Sequence, residues 1–272
     1  MKRIHTIIIL FVETFPQNPK NHVPFKGSLV ESTVSEAHKG RGKLFENNSD
    51  KIIRVVSFDS LEKRYHYQID PVALASLGKK LYAELETKYG IPVPVEYVAG
   101  KDEQGRNVIY GITEKISGKN LAEVDIDPEV AIQSEKLYIS LSQYYLDKLA
   151  KLPDGEIYLA DINGASQYAY GTTIYDEQPK IYLVDTDLFM RNGNVAFYRV
   201  VAWFIRHMIS VERRFGKKFE EARKNIAQTI SNPLPEGLND KEKEEIEKAI
   251  TEAKNFLEGQ FSKESDALPT GI

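Results

Sequence analysis

The patterning of this chain changes once along its length, from strand-like to helical. Between residues 27 and 116, short runs rich in β-branched residues alternate with turn signals, and the clearest run is Lys51 to Phe58. From Pro128 onward, apolar side chains recur mainly at helical spacing. Strands grouped before helices predict an α+β protein, with a small β-rich lobe followed by a larger helical lobe.

The β-rich part carries five predicted strands and one predicted helix. The strands are predicted at Leu29 to Val34, Gly42 to Glu46, Lys51 to Phe58, Val93 to Ala99 and Val108 to Ile116. The helix begins at Pro71, because proline suits the first helical turn, and Gly90 ends it. Four leucines between these two residues recur at helical spacing, which predicts one apolar face.

The helical part carries four predicted helices, with a β insert between the first and the second. The helices are predicted at Pro128 to Leu149, Val195 to Phe215, Phe219 to Ile230 and Asp240 to Leu257. Asn239 and Glu242 have the spacing of a capping box at the start of the last helix. The predicted division is an N-terminal strand or arm (1–26), a β-rich lobe (27–117), a helical lobe (118–260) and a flexible tail (261–272).

The N-terminus has two interpretations. Lys2 and Arg3 precede the apolar run from Thr6 to Val12, which is the order found in a short signal peptide. The run is also rich in β-branched residues, and no small-residue cleavage site follows it. We favour a strand, and the run is far too short to span a bilayer.

Composition narrows the range of partners. The chain has 272 residues, a net charge of −4 and a pI of about 5.9, so it lacks the basic character of a nucleic-acid surface. It contains no cysteine, which excludes disulfides, thiolate zinc sites and cysteine nucleophiles and fits a reducing compartment. We therefore expect a cytoplasmic protein with neither nucleic-acid nor membrane partners.

The β insert has aspartate and asparagine residues beside its two predicted strands. Asp161 and Asn163 precede the segment from Gln167 to Tyr170, and Asp185 follows the segment from Lys180 to Val184 directly. Acids at the end of an apolar strand are held by a rigid scaffold, where they can meet a cation or a phosphate. The alternative is a surface hairpin whose aspartates only terminate strands and make turns.

Other site types have little support in the sequence. No pair of histidines has the spacing of a zinc helix, and the Gly-x-Ser-x-Gly, P-loop and dinucleotide-binding motifs are missing. His207 lies in an apolar helix and is predicted to be a packing residue. The fifteen tyrosines either cover half-buried surface, which we favour, or line a ligand groove by stacking.

Five segments together resemble the protein-kinase-like fold, in particular its aminoglycoside phosphotransferase branch and bacterial relatives of that branch. In chain order they read KIIRVV (51–56), KYGIPVPVEYV (88–98), VIYGITEKISGKNL (108–121), YLADINGASQYAYG (158–171) and KIYLVDTDLF (180–189). They are similar to the third strand of the small lobe, the entry into the next strand, the hinge, the catalytic loop and the strand before the metal-binding aspartate. The resemblance covers roughly residues 27 to 230.

The resemblance implies an ATP- and Mg²⁺-dependent phosphotransferase that acts on a hydroxyl of a small molecule or a protein. It implies that Asp161 accepts the hydroxyl proton and that Gln167 and Asp185 are metal ligands, with Asp187 in support. Mg²⁺ takes hard oxygen ligands of this kind.

For the nucleotide, the resemblance implies three residues. Arg54 stands where a phosphate-binding lysine is expected, and Lys51 can replace it only in another strand register. Glu114 belongs to the implied hinge, between residues 114 and 121. The nucleotide and an unidentified hydroxyl-bearing molecule are therefore the implied partners.

The sequence departs from the family pattern at several places. No His or Arg directly precedes Asp161, Gln stands in place of Asn at position 167, and Arg54 is planar and bulkier than lysine. The predicted helix carries Glu84 and Glu86 nearer its C-terminal end than the family's paired glutamate. Three interpretations follow: an active phosphotransferase, a catalytically inactive kinase-like binding or scaffolding protein, and an unrelated interaction protein.

Overall fold

The computed structural model describes a β-rich and a helical part of the chain. The residues described are 29–31, 43–47, 51–57, 71–101, 107–152, 158–160, 162, 164–184, 190–191 and 193–259. The chain divides into two compact units. The first unit is Met1–Tyr82, Pro94–Ile116 and Thr173–Tyr175, and the second is Ala83–Val93, Ser117–Thr172 and Asp176–Ile272. The predicted N-terminal strand and the C-terminal tail lie outside the described residues.

The first unit is built on an antiparallel sheet of five described strands. They are β1 (Leu29–Glu31), β2 (Lys43–Asn47), β3 (Lys51–Ser57), β4 (Val95–Lys101) and β5 (Asn107–Glu114). Their order is β1-β2-β3-β5-β4, so β5 lies between β3 and β4. Val108, Ile109, Tyr110 and Ile112 of β5 are all buried, as expected for a strand in the interior of a sheet.

Helix α1 (Pro71–Tyr89) connects β3 to β4 in sequence. It ends at Gly90, whose φ of +66° is the left-handed conformation that closes many helices and that glycine adopts without steric cost. Leu74 and Leu85 are fully buried, which confirms the predicted apolar face. The boundary between the two units falls inside this helix, after Tyr82.

The second unit contains two small antiparallel sheets. β6 (Ser117–Asn120), β8 (Tyr168–Thr172) and β9 (Lys180–Leu183) form one sheet in the order β6-β8-β9. β7 (Tyr158–Leu159) pairs with β10 (Met190–Arg191) in the other. Gly118 of β6 lies opposite Gly171, and a Cβ atom at position 118 would stand only 2.1 Å from the carbonyl oxygen of Tyr170. The close approach of β6 to β8 therefore requires glycine at that position.

Four described helices make up the rest of the second unit: α2 (Pro128–Leu149), α3 (Asn194–Phe215), α4 (Glu220–Ser231) and α5 (Asp240–Glu258). The side chain of Asp127 caps α2 by accepting a hydrogen bond from the backbone of Glu129. The capping box predicted for the last helix is confirmed by reciprocal bonds of 3.0 Å between Asn239 and Glu242. None of the described helices combines the length and apolar composition needed to cross a bilayer.

The core of the second unit is aromatic. The ring of Tyr138 on α2 packs against Phe204 of α3 and Phe219, with centroids 5.5 and 5.6 Å away. The fully buried tyrosines are Tyr138, Tyr144, Tyr145, Tyr158, Tyr168 and Tyr198. The prediction that tyrosines cover half-buried surface is therefore wrong for this group, because each ring supplies a large apolar area to the interior.

A buried ion pair fixes the corner between α3 and α4. The carboxylate of Glu212 accepts bonds from Nε and Nη2 of Arg223, and also from the backbone NH of Phe219 at 2.6 Å. Arg223 donates as well to the carbonyl of Leu257 at the end of α5. Glu212 is almost completely buried, so these bonds replace the water that its charge would otherwise hold.

The described elements confirm the predicted α+β class and most of the predicted boundaries. β3 begins at Lys51 and α2 spans Pro128–Leu149, as predicted. β6, β7 and β10 were not predicted. Two of them have two residues each and the third is polar, so none shows the alternation that identifies a strand in a sequence.

Candidate functional site

The predicted site residues fall into two groups. Asp161, Asn163, Asp185 and Asp187 lie outside the described residues, while Gln167, Lys51, Arg54 and Glu114 lie within them. The residues that flank two of the aspartates in sequence, Ile162 and Val184, are described. The contacts of these flanking residues define the surroundings of the candidate site.

Leu159 and Ile162, two described residues on either side of position 161 in sequence, are each bonded to a tyrosine hydroxyl. On one side, the backbone NH of Leu159, which ends β7, donates to the hydroxyl of Tyr144 over 2.9 Å. On the other side, the buried carbonyl of Ile162 accepts a hydrogen bond from the hydroxyl of Tyr168. Ile162 is itself fully buried. The described residues that are nearest in sequence to position 161 therefore include two anchored ones, Leu159 and Ile162.

The main chain before position 185 is held by backbone bonds. Leu183, the last residue of β9, is paired with Tyr168 of β8, and its NH donates to the carbonyl of Pro92 at 2.9 Å. The NH of Val184 donates to the carbonyl of Gln167 at 2.8 Å. The neighbours of both predicted aspartates are thus bonded to two consecutive residues, Gln167 and Tyr168.

Gln167 closes a 3₁₀ turn, Ala165–Gln167, directly before β8. Its side-chain oxygen accepts a hydrogen bond from the NH of Gly164, which uses one of the two lone pairs of the amide oxygen. The turn is also tied to β6, because Asn120 donates from Nδ2 to the carbonyl of Ser166 over 2.7 Å. Whether Gln167 is a metal ligand stays a prediction.

The three predicted nucleotide residues are placed by the sheet of the first unit. In that sheet, Arg54 of β3 lies opposite Gly111 of β5, and Lys51 lies opposite Glu114. Successive strand positions alternate between faces, so positions 51 and 54 belong to opposite faces of the sheet. The backbone NH of Glu114 donates to the carbonyl of Pro94 at 3.2 Å, which fixes the end of β5. The roles of these residues stay predictions.

Glu84 of α1 forms an ion pair that the sequence did not indicate. Its carboxylate lies 2.9 Å from Nζ of Lys148 on α2, and the Lys148 side chain is only 1% exposed. The first part of α1, residues 71–82, contains no acidic residue. A lysine at a buried helical position is rare unless it is paired, and its partner cannot be read from spacing in the sequence.

A second polar network joins α1 to α2 beside that pair. The carboxylate of Asp147 accepts bonds from Nζ of Lys88, from the hydroxyl of Tyr89 at 2.8 Å and from Nε2 of Gln143 at 2.7 Å. Burial alone would raise the pKa of Asp147, but these bonds outweigh it and hold the pKa below its ordinary value. The bond to Asp147 likewise raises the pKa of Lys88.

One of the three predicted magnesium ligands, Gln167, lies within the described residues. Among the residues that the structure describes, no group of three or more His, Asp or Glu could hold a metal ion. Two of the three predicted ligands, Asp185 and Asp187, lie outside those residues. The donor set of two carboxylates and an amide oxygen is chemically suited to Mg²⁺.

Tyr168 is the residue of this site that sequence reasoning missed. It is fully buried, and it contacts the segments that flank both predicted aspartates. The segment Gln167 to Tyr170 was predicted to be a strand, but a strand pattern does not indicate which tyrosine hydroxyl reaches a distant carbonyl.

Solved structures similar to this one include kinases and a phosphotransferase. WaaP in complex with acyl carrier protein is 11% identical with a TM-score of 0.43, over 85% of this chain and 89% of that chain. The Cydia pomonella granulovirus kinase PK-1 is 10% identical with a TM-score of 0.42, over 94% of each chain. Aminoglycoside-3'-phosphotransferase of type VIII is 13% identical with a TM-score of 0.42, over 87% of this chain and 95% of that chain.

No protein-family model and no curated protein matches the chain. These solved structures are what the chain is similar to, and the α+β class predicted from the sequence is confirmed by the chain's own described elements. At these identities and TM-scores, the similarity says nothing about substrate or activity.

Proposed function

We propose that this chain is an ATP- and Mg²⁺-dependent phosphotransferase that acts on a hydroxyl of a small molecule or a protein. One observation carries the proposal: Ile162 and Val184, the neighbours of Asp161 and Asp185, are bonded to the consecutive residues Tyr168 and Gln167. Phosphoryl transfer depends on positioning and charge neutralisation more than on covalent chemistry. A backbone frame shared by the sequence neighbours of both acids suits that requirement.

In the proposed reaction, Asp161 accepts the proton of the acceptor hydroxyl. The hydroxyl oxygen bonds to the γ-phosphorus of ATP, the bond from that phosphorus to the bridging oxygen breaks, and ADP leaves. Asp185 and Gln167 would hold Mg²⁺, with Asp187 in support. The ion would neutralise charge on the β- and γ-phosphates.

On the nucleotide side, Arg54 is the proposed phosphate-binding cation. Its position on β3 is flanked by β2 and β5, because it lies opposite Leu44 and Gly111. Lys51 lies at a position of the other face, so the two residues are alternatives. Glu114, at the end of β5, is the proposed hinge residue beside the nucleotide.

A second candidate function is that of a kinase-like protein that binds a ligand or a partner without transferring a phosphoryl group. The observation in its favour is the ion pair of Glu84 with Lys148, together with the absence of any acid in residues 71–82 of α1. In the family that the sequence resembles, a helix glutamate orients the phosphate-binding cation of the small lobe. In this chain, Glu84 of α1 instead forms an ion pair with Lys148 of α2.

A thermal-shift titration with ATP, with and without Mg²⁺, separates the two functions. A nucleotide at about a hundred times its Kd stabilises the native state by about 2.7 kcal/mol. For a chain of this size, that corresponds to a rise in Tm of roughly 5 to 11 °C. We expect the rise to require Mg²⁺ and to be lost in Asp185→Ala.

Asp125→Ala is the matched control, because Asp125 is an exposed aspartate of the same unit that pairs only with Lys119 among the contacts described. This variant should keep the Mg²⁺-dependent shift. A shift that is equal without Mg²⁺ and survives in Asp185→Ala would favour the binding protein. No shift at millimolar nucleotide would reject the phosphotransferase.

A further inference from the structure

We infer that Tyr168 is a positioning residue of the proposed site, which fixes the main chain next to Asp161 through its hydroxyl and the strand before Asp185 through its backbone. The catalytic consequence rests on the proposed function. The mechanical part of the inference rests only on contacts of described residues within the second unit.

The hydroxyl of Tyr168 makes the first connection. The side chain is fully buried and its hydroxyl donates to the carbonyl of Ile162, which is also fully buried. When a buried carbonyl loses its hydrogen-bond donor, the fold is destabilised by the full desolvation free energy of that carbonyl. The phenol therefore holds the backbone beside position 161 more firmly than a bond at the surface could.

The backbone of Tyr168 makes the other connections. Its carbonyl accepts a bond of 2.8 Å from the NH of Leu121, just after β6, and the residue is paired with Leu183 in the register of β8 and β9. Val184, the residue that follows β9, donates from its NH to the carbonyl of Gln167. None of these bonds uses the phenol, so they should persist when the hydroxyl is removed.

Because the hydroxyl and the backbone of Tyr168 make different bonds, Tyr168→Phe should affect the bond to Ile162 and leave the backbone bonds intact. The carbonyl of Ile162 loses the hydrogen bond described for it, while β9 keeps its backbone bonds. If Asp161 handles the proton and Asp185 holds the metal and nucleotide, turnover should fall while nucleotide affinity stays the same. A small misplacement of a reacting group can reduce the rate about a hundredfold.

Tyr138→Phe is the matched control. Tyr138 is equally buried, and its hydroxyl has no hydrogen-bond partner among the residues that the structure describes. Its ring packs on Phe204 and Phe219 in the helical core. The same atom is removed in both variants, but only Tyr168→Phe breaks a bond to the proposed site.

The experiment compares wild type and both variants by three measurements. Amide hydrogen exchange in residues 159–164 and 181–184 reports the mechanical connection without any ligand. Calorimetric titration with ATP and Mg²⁺ reports nucleotide affinity, and hydrolysis of ATP, with water as the acceptor, reports turnover.

We expect Tyr168→Phe to speed exchange about five- to a hundredfold in residues 159–164, to leave residues 181–184 unchanged and to lower kcat at least tenfold at constant nucleotide affinity. Tyr138→Phe should match wild type in all three measurements.

Unchanged amide exchange in residues 159–164 would overturn the inference, whatever the activity of the variant. Faster exchange with unchanged kcat in an active enzyme would overturn the positioning role. Failure of the wild type to bind Mg²⁺ and ATP would instead reject the proposed function, while the exchange data would still decide the connection.

Discussion

Replacing Glu212 by glutamine should test how much the corner between α3 and α4 depends on charge. The substitution keeps an oxygen that can accept from the NH of Phe219, but it removes the negative charge that faces Arg223. The guanidinium, whose side chain is one-fifth exposed, is then left partly buried and unpaired. Removing one partner of a buried pair costs about 3–5 kcal/mol, and the partial exposure of Arg223 favours the lower end.

A loss of about 3 kcal/mol lowers the Tm of a chain of this size by roughly 6–12 °C. The measurement is thermal and urea unfolding of Glu212→Gln beside Glu245→Gln. Glu245 pairs with Arg199, also on α3, but both partners of this pair are far more exposed, so the control should lose at most about 1 kcal/mol.

The double variant Glu212→Gln, Arg223→Met sharpens the test. It removes the unpaired guanidinium, so it should be less destabilised than the sum of the two single variants. A loss below about 1 kcal/mol in Glu212→Gln, or strict additivity in the double variant, would show that the corner is held by packing rather than by the ion pair.

Two further predictions concern the second unit. Gly118→Ala should destabilise it by about 1–3 kcal/mol or more in urea unfolding, because the added Cβ meets the carbonyl oxygen of Tyr170 across β6 and β8; an unchanged midpoint would refute this close approach. Asp147→Asn should cost about 1.5–3 kcal/mol at pH 7 through its lost charge-assisted bonds. Folding lowers the pKa of Asp147, so the ionised carboxylate stabilises the fold at pH values above its unfolded pKa of about 3.9. This stabilisation is lost as the pH falls through the pKa of the folded state. The difference between wild type and variant should therefore shrink below about pH 4, and a difference that grows on acidification would contradict the assignment.

The sequence predicted the elements whose signals are local. Helix α2 was predicted to the residue because a proline at its start and regular apolar spacing define it, and Gly90 marked the end of α1. The capping box at Asn239 was also visible, since both of its partners lie within one turn.

The features that depend on distant contacts could not be predicted. β7 and β10 are short, and each is a strand only because the other is beside it. The partner of Glu84 lies 64 residues away, at Lys148. For the candidate site, the sequence indicated Asp185 by its position after an apolar strand and Asp161 by its position before the segment Gln167 to Tyr170. Nothing local showed that Tyr168 connects the neighbours of both.

The bond between Val184 and Gln167 has a consequence for how this molecule can be altered. It joins main-chain atoms, so the frame at that point does not depend on which side chain stands at position 167. Gln167→Asn would shorten the side chain that accepts from the NH of Gly164, and with it a candidate ligand, while the backbone bond between Val184 and position 167 persists. The chemistry offered by the side chain at position 167 and the path of the main chain beside it can therefore change separately.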